Sequence, residues 1–593
     1  MLSHKVILLF CDLLRYYIFM MVEKIDSLKT STVVLIIAIV GFLAFANMLG
    51  NEFVWDDEEL IVGNSALLQL RNVPALFSQS VFNTGGPSLS GWVYRPLLMT
   101  FFSLINSLFG LWPPGFHLVQ LAFHLTNASL LFVLLKRLLG EVNRKFAKPV
   151  AFLMALIFAV HPAGVEAISY IAQLPESLHT FFVLLSFILL LNSLDCPSRN
   201  RLVVVGFLFL LGLLTKENAV VFLPIVFFYL FLFAREKLKV WGSLFVGSFI
   251  TYLGIRFVFY GIQTERPHFI APISDASFFE RLLTAPFIFF TYLKIFFFPN
   301  VLSIAQHNVI KDMVDSSFLV SLVVVVLFCL VCLGIIYKKK SKLGLFFFVS
   351  FLISLGPTLN IIMPLDMSIA EHWFYFPMTL LIGFLSVVVI STKFLVKHSS
   401  VFVVVLSMLI VLLAGRTVVR NANWKNGLTL YGHDLQYQPN NFDLENNYGV
   451  EIFRVGRAEE ALVHFQKSVE LRPQWDVSNN NLGAVYERLG DIGNAKVYYK
   501  RSVQLSDYYI AYDNLSSLFA KTEEPDEALK FLDVAIRKFP NSERVNSALA
   551  ITYYKKGNVE SALYFARQAV SVSPTQQNLF IYDTILNKKK LEL

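Results

Sequence analysis

As far as about Arg416 the chain is a succession of long apolar runs separated by short polar breaks; beyond it, polar and apolar residues mix at ordinary density. A helix needs about 20 mostly apolar residues to cross a bilayer. Runs of that kind fall at 32–49, 116–135, 149–165, 178–193, 201–215, 217–234, 239–259, 316–337, 343–362, 374–391 and 400–416, which predicts about eleven spans. Two of them, 178–193 and 201–215, are short and have to extend into their flanks.

Positive charge orients these spans, because basic residues stay on the cytoplasmic side. Lys24 and Lys29 precede the first span, and Lys136, Arg137, Arg144, Lys145 and Lys148 follow the second. Arg199 and Arg201 follow the fourth, Arg235, Lys237 and Lys239 the sixth, Lys338, Lys339, Lys340 and Lys342 the eighth, and Lys393 and Lys397 the tenth. With a cytoplasmic N-terminus all of these clusters share one side. An odd number of spans then leaves the C-terminal part outside, in the periplasm, the cell exterior or the ER lumen.

Two further apolar stretches, Tyr94–Gly110 and Leu282–Phe298, would invert the charge pattern downstream if they crossed. Each is expected to lie as an interfacial or re-entrant helix on the outer face; Pro286 and Lys294 in the second suit the headgroup region. Lys5–Met21, interrupted by Asp12 and Arg15, is expected on the cytoplasmic surface, unless the native start is Met20 or Met21. Ala44-Phe45-Ala46 has the form of a signal cleavage site. The residues just beyond it read as functional, so the segment is retained as a span.

From about Phe442 the apolar pattern changes to a repeat of 33 to 34 residues, the tetratricopeptide (TPR) period. Gly449, Ala461, Phe465 and Pro473 recur as Gly483, Ala495, Tyr499 and Asp507. A third copy gives Ser516, Ala528, Leu532, Ala535 and Pro540, and a fourth gives Ala550, Tyr553, Ala562, Ala566, Ala569 and Pro574. Small residues let the two helices of each unit approach closely, and proline ends the second. The expected architecture is all-α: residues 1–31 cytoplasmic, 32–416 a membrane helix bundle with a first outer loop at 50–115, 417–441 a connector, and 442–593 a TPR α-solenoid of about four repeats.

Composition agrees with a membrane setting. Hydrophobic residues make up 56% of the chain and charged residues 16%, against about a quarter charged in soluble proteins. The net charge of +8 is accounted for by cytoplasmic loop lysines, with no basic stripe that would suit nucleic acid. Cys11, Cys196, Cys329 and Cys332 lie in apolar runs or cytoplasmic loops, so no disulfide framework is expected.

Chemistry is sought among ionisable residues near the outer face, because burying them is costly. Trp55, Asp56, Asp57, Glu58 and Glu59 follow the first span, where a carboxylate could act as general base toward a hydroxyl. Arg95 opens the first interfacial helix. His161 and Glu166 end the third span, Lys216 and Glu217 join the fifth to the sixth, and Glu371, His372 and Tyr375 open the tenth. Several cations at one depth suit a lipid-linked phosphate. His117 and His124 read as polar contacts within the bundle. No glycine-rich phosphate loop, zinc-spaced cluster or Ser-His-Asp arrangement is present in the sequence, and whether a divalent metal takes part stays open.

Phe53-Val54-Trp55-Asp56-Asp57, then Asn64 and Tyr94-Arg95-Pro96-Leu97, resemble the opening of the transmembrane-and-TPR O-mannosyltransferases, GT-C fold relatives of the protein O-mannosyltransferases. His161-Pro162-x-x-x-Glu166-Ala167, Lys216-Glu217, Glu371-x-x-x-Tyr375-x-Pro377 and Arg416-Thr417-x-x-Arg420-Asn421-x-x-Trp424 continue the resemblance in order. Gln173 and Leu174 stand where the family often has Gly-Arg, His372 where an arginine is common, and Asn426-Gly427 where a glutamate is usual. The resemblance implies a glycosyltransferase that moves mannose or a similar hexose from a polyprenyl or dolichyl phosphate to a protein or glycan acceptor on the extracytoplasmic side of a bacterial or ER membrane. It implies Asp56 or Asp57 as catalytic carboxylate, with Arg95, Lys216 and His372 on the donor phosphate. Glu166, His161, Glu217, Glu371 and Tyr375 would support the acceptor side, with the TPR groove taking a protein or peptide acceptor. The alternative is a non-catalytic TPR membrane scaffold for an envelope or secretion complex, which has no need of acidic residues beside the first span. A lipid-linked sugar flippase would need a polar path across the membrane, and mid-depth charges are scarce.

Overall fold

The computed structural model describes residues 25–81, 93–194, 198–261, 270–392 and 399–590. The Lys5–Met21 segment, Cys11, Cys196, Lys393 and Lys397 lie outside the described residues. The chain is helical throughout, with no strand beyond an isolated bridge between Gln306 and Ile369 among the described residues. It divides into two compact units that part between Gln438 and Pro439.

In the first unit, each of the eleven predicted segments is helical. Eight helices are long and apolar enough to cross a membrane by themselves among the described residues, and a bent pair makes a ninth. Arg199–Thr215 and Glu217–Phe233, with 17 residues each, are shorter than the sequence count assumed. At 1.5 Å per residue each reaches about 25 Å, against about 30 Å of hydrocarbon. Their junction is Lys216, whose extended backbone (φ −155°, ψ 131°) breaks the helix.

The bent pair has a local cause. A residue before proline is disfavoured in helical conformation, and His161, ahead of Pro162, sits at φ −75° and ψ 126°. Helix Arg144–Val160 therefore stops, and the chain resumes through Pro162–Ser169 at 52° to it. The bend buries Glu166 completely.

Pro96–Phe109, one of the two stretches expected at the interface, is an apolar helix of 14 residues, about 21 Å long and too short to span. It buries Leu98, Met99, Phe102 and Ile105 and leaves Leu104 and Leu108 exposed. The other forms helix Phe278–Phe297, started by a capping box between Ser277 and Glu280; it too falls outside the helices apolar enough to cross.

The second unit holds four helix pairs. They are Phe442–Arg454 with Ala458–Leu471, Asp476–Arg488 with Ile492–Leu505, Tyr509–Thr522 with Pro525–Lys538, and Glu543–Lys555 with Val559–Val572. A last helix, Gln576–Leu586, packs on the fourth pair and covers its end. The small residue of each first helix is needed for close approach: a Cβ on Gly449 would lie 2.9 Å from the Phe465 ring, and one on Gly483 2.6 Å from Tyr499. Gly456, Gly490 and Gly557 take φ of 84°, 83° and 84° at the turn of their pairs, a left-handed cap that favours glycine.

Candidate active site

The loop after the first span is held before it is shaped. Asn51 Nδ2 donates to the carbonyl of Asn421 at 3.2 Å, and the Glu52 amide donates to the carbonyl of Lys425 at 2.9 Å. Trp55 then adopts φ +57°, a left-handed conformation uncommon for a bulky residue, which persists only where its surroundings over-determine it. Those surroundings are an aromatic stack. Trp55 lies on Tyr170 with ring centres 5.2 Å apart and planes 9° off parallel. Tyr170 in turn stacks with Trp424 at 5.5 Å.

The turn separates the two adjacent carboxylates. Asp57 is fully buried; its Oδ2 accepts the Val54 amide at 3.0 Å and its Oδ1 the Ala172 amide at 2.6 Å. Burial pushes its carboxyl well above the usual carboxylate range; the Val54 and Ala172 amides oppose the shift and the neighbouring Asp56 charge adds to it. Asp56 is half-buried. Its amide donates to the Tyr170 hydroxyl at 3.2 Å, and that hydroxyl is also hydrogen-bonded to the Asp56 side chain.

The cations expected to hold a phosphate each meet a carboxylate. Arg95 engages Glu217 in a two-pronged pair, Nη2 to Oε1 at 2.5 Å and Nε to Oε2 at 3.0 Å. Lys216 pairs with Glu176 where both side chains are buried. His372 Nδ1 lies 3.0 Å from Glu166 Oε1, and its backbone amide donates to Oε2 of the same residue at 3.0 Å. These pairs form one field: Glu176 feels His179 and His372 besides Lys216, and Arg95 feels Glu176 and Asp366 besides Glu217. The Arg95 side chain keeps 16% exposure, whereas that of Lys216 keeps 3%. An incoming anion can therefore meet Arg95 directly, while Lys216 acts from behind.

The remaining residues named from sequence buttress this array. Glu371 is buried and accepts the Ser303 amide at 2.6 Å. Tyr375 shares its hydroxyl with His124 Nδ1 at 2.8 Å and Asn127 Nδ2 at 3.3 Å. His161 accepts the Ala163 amide on Nδ1, which leaves Nε2 to donate to the Phe296 carbonyl at 3.0 Å. It is a neutral anchor at the bend.

The Arg416–Trp424 motif serves as a clasp. Arg416 donates to the carbonyls of Pro299 and Asn300, Thr417 to that of Val160, and Asn421 to that of Ala44. Arg420 forms a buried two-pronged pair with Asp434 at 2.7 and 3.1 Å and lies 5.8 Å from the Trp424 ring. Arg420 also feels Glu371 and Glu166. Through Tyr170, Trp424, Arg420 and Glu166, the aspartate turn is thus connected to the ion pairs. Asn426, where the family usually has glutamate, caps helix Gly427–Leu435 through Thr429.

Sequence reasoning missed Tyr170, Glu176, His179, Asp366 and Asp434. An acid inside an apolar run marks Glu176; nothing local marks Tyr170 or Asp434. Beneath the ion pairs, an apolar cavity is lined by Leu131, Val183, Leu184, Phe222 and Phe347, with Phe376 and Thr379. Val183 and Leu184 follow His179 by four and five residues, and Phe376 and Thr379 follow His372 by four and seven, so the same helices carry polar groups at one end and apolar walls about one to two turns deeper. Among the described residues no group of three or more His, Cys, Asp or Glu side chains is placed to hold a metal ion.

A tetratricopeptide repeat model matches residues 477–508. Protein O-mannosyl-transferase F38B6.6 of Caenorhabditis elegans is 27% identical over 449 residues, covering 74% of this chain and 63% of that protein. Protein O-mannosyl-transferase TMTC3 of Mus musculus is 25% identical over 498 residues, covering 77% and 52% respectively. These relatives carry the name of the family that the motifs resemble, and the chain spans about half to three fifths of their length. Among solved structures, TTC0263, a thermophilic TPR protein of Thermus thermophilus, covers 30% of this chain and 95% of its own at 20% identity and a TM-score of 0.24, too low to carry an argument.

Proposed function

Starting from its likeness to the protein O-mannosyl-transferases, we propose that this chain transfers mannose or a similar hexose from a polyprenyl or dolichyl phosphate to a protein acceptor on the extracytoplasmic side of its membrane. The observation that carries the reading is the division of the aspartate pair. Asp57 spends both oxygens on backbone amides, and Asp56 remains half-buried beside a fixed aromatic stack. A positioned carboxylate of that kind takes the proton of an acceptor hydroxyl. The hydroxyl oxygen then bonds to the anomeric carbon, the bond from that carbon to the phosphate oxygen breaks, and polyprenyl phosphate leaves with the electron pair.

Arg95 meets the charge of the departing phosphate, because a guanidinium holding Glu217 with two N–H groups has three more to offer. Lys216 and His372, each anchored by a carboxylate, add their field from behind. An apolar cavity deeper along the same helices suits the chain of a lipid donor. The TPR unit offers the acceptor a surface built of paired helices.

The test is an assay of purified protein with a panel of radiolabelled polyprenyl-phosphate sugars and a serine- and threonine-rich peptide mixture. Transfer by the wild type and its loss in Asp56→Asn is the expected result. Transfer at the wild-type rate by the Asp56/Asp57→Asn double variant would overturn the mechanism.

A further inference from the structure

Tyr170 is a buried polar side chain in contact with Asp56 that the reading above leaves without a task. Its ring is 1% exposed and is stacked on by two indoles, those of Trp55 and Trp424. Its carbonyl is fixed as well, by Gln120 Nε2 at 2.9 Å. A phenylalanine would fill the same place in the stack. Burying a hydroxyl there is costly unless its hydrogen bonds are met, and both of the partners noted above belong to Asp56.

A tyrosine hydroxyl has one proton and two lone pairs. The Asp56 amide occupies a lone pair. The proton is then the group available for the Asp56 carboxylate, to which the hydroxyl is hydrogen-bonded. Backbone and side chain of one residue are thereby tied to a single immobile oxygen. The left-handed turn at Trp55 gives the tie its purpose, since a side chain leaving such a turn is otherwise set only by its own rotamer.

The geometry points to Tyr170 as a positioning residue for the transfer reaction: its hydroxyl orients the Asp56 carboxylate so that one oxygen is held and the other is presented to the acceptor hydroxyl. The inference rests on Asp56 being the base. Tyr170 itself does not touch the reacting atoms. Its action passes through Asp56, while Trp55 and Trp424 keep its ring from turning.

The experiment compares the full-length wild type with Tyr170→Phe, Asp56→Asn and the double variant. Transfer is measured from dolichyl-phosphate mannose to the same peptide mixture, alongside the thermal unfolding midpoint. Tyr170→Phe keeps the stack, so the midpoint should stay with that of the wild type. The kcat should fall roughly 10- to 100-fold, in line with the cost of a misplaced catalytic group, with KM for donor and acceptor unchanged. Added to Asp56→Asn, it should cost nothing further, because the hydroxyl has lost the carboxylate it orients. Tyr170→Leu, which removes the stack too, should lower the midpoint and separate packing from orientation. A Tyr170→Phe protein with wild-type kcat overturns the inference, as does a loss that simply multiplies with that of Asp56→Asn. Wild-type transfer by Asp56→Asn would instead sink the base assignment on which the inference stands.

Discussion

Adjacent aspartates with the same chemistry are given different work by a single backbone turn. Neutralising the base should remove 10²- to 10⁴-fold of catalysis, about 3–5 kcal/mol of transition-state stabilisation. Asp56→Asn is therefore expected to lower kcat by that factor with an unchanged unfolding midpoint. Asp57→Asn should behave in the opposite way. Its amide can accept from only one of the Val54 and Ala172 N–H groups, and an unmet buried donor costs about 1–3 kcal/mol. The midpoint should fall, and activity per folded molecule should fall far less than in Asp56→Asn. Arg95→Ala is predicted to raise the KM for the lipid donor more than it lowers kcat, because a phosphate contact exists in the ground state and in the transition state alike. Donor titrations of the two variants separate these outcomes.

The helices that bring these residues together are held at their ends by polar clasps. The clearest is Arg420 with Asp434, buried at the junction of helices Ser399–Asn423 and Gly427–Leu435. Burial works against the Asp434 carboxylate, but the Arg420 guanidinium outweighs it and holds the group below the usual range. A depressed folded value means that the stabilisation is present above the unfolded value of about 3.9 and is lost as the pH falls through the folded one. Removing one member of a buried pair costs about 3–5 kcal/mol. Asp434→Asn should accordingly lower the unfolding midpoint at pH 7, and the gap to the wild type should close as the pH drops below about 4. A gap that stays constant with pH would show that Asp434 acts by packing alone. Asn421, whose side-chain oxygen accepts from Ser169 at 2.7 Å, gives the same helix a second, uncharged clasp.

For the molecule as a whole, the distribution of lysine and arginine makes the topology testable. A cysteine placed at Lys340 should be protected from an impermeant thiol reagent in intact cells or sealed microsomes, and one at Ser542 should show the opposite accessibility. Equal labelling of the two positions would mean that the number of spans between them is even. The two short helices, Arg199–Thr215 and Glu217–Phe233, are where such an error would arise, since together they decide the parity.

Apolar runs, the repeat period and the one-sided basic loops are local properties of the chain, and by themselves they determined the all-α class, the helical segments and the four TPR pairs. Segment length follows from apolar content, and the close approaches at Gly449 and Gly483 follow from residue size. What the sequence could not state was the partner of each charge. Arg95 meets Glu217 across 122 positions, and the His372 amide meets Glu166 across 206. The Asp56 amide reaches Tyr170 across 114. No periodicity encodes such pairings, because each depends on where two helices that are remote in sequence end beside one another. Asp56 and Asp57 are equivalent as letters. Only the left-handed turn at Trp55, enforced by rings contributed from two distant segments, buries one carboxylate among backbone amides and leaves the other half-buried beside Tyr170.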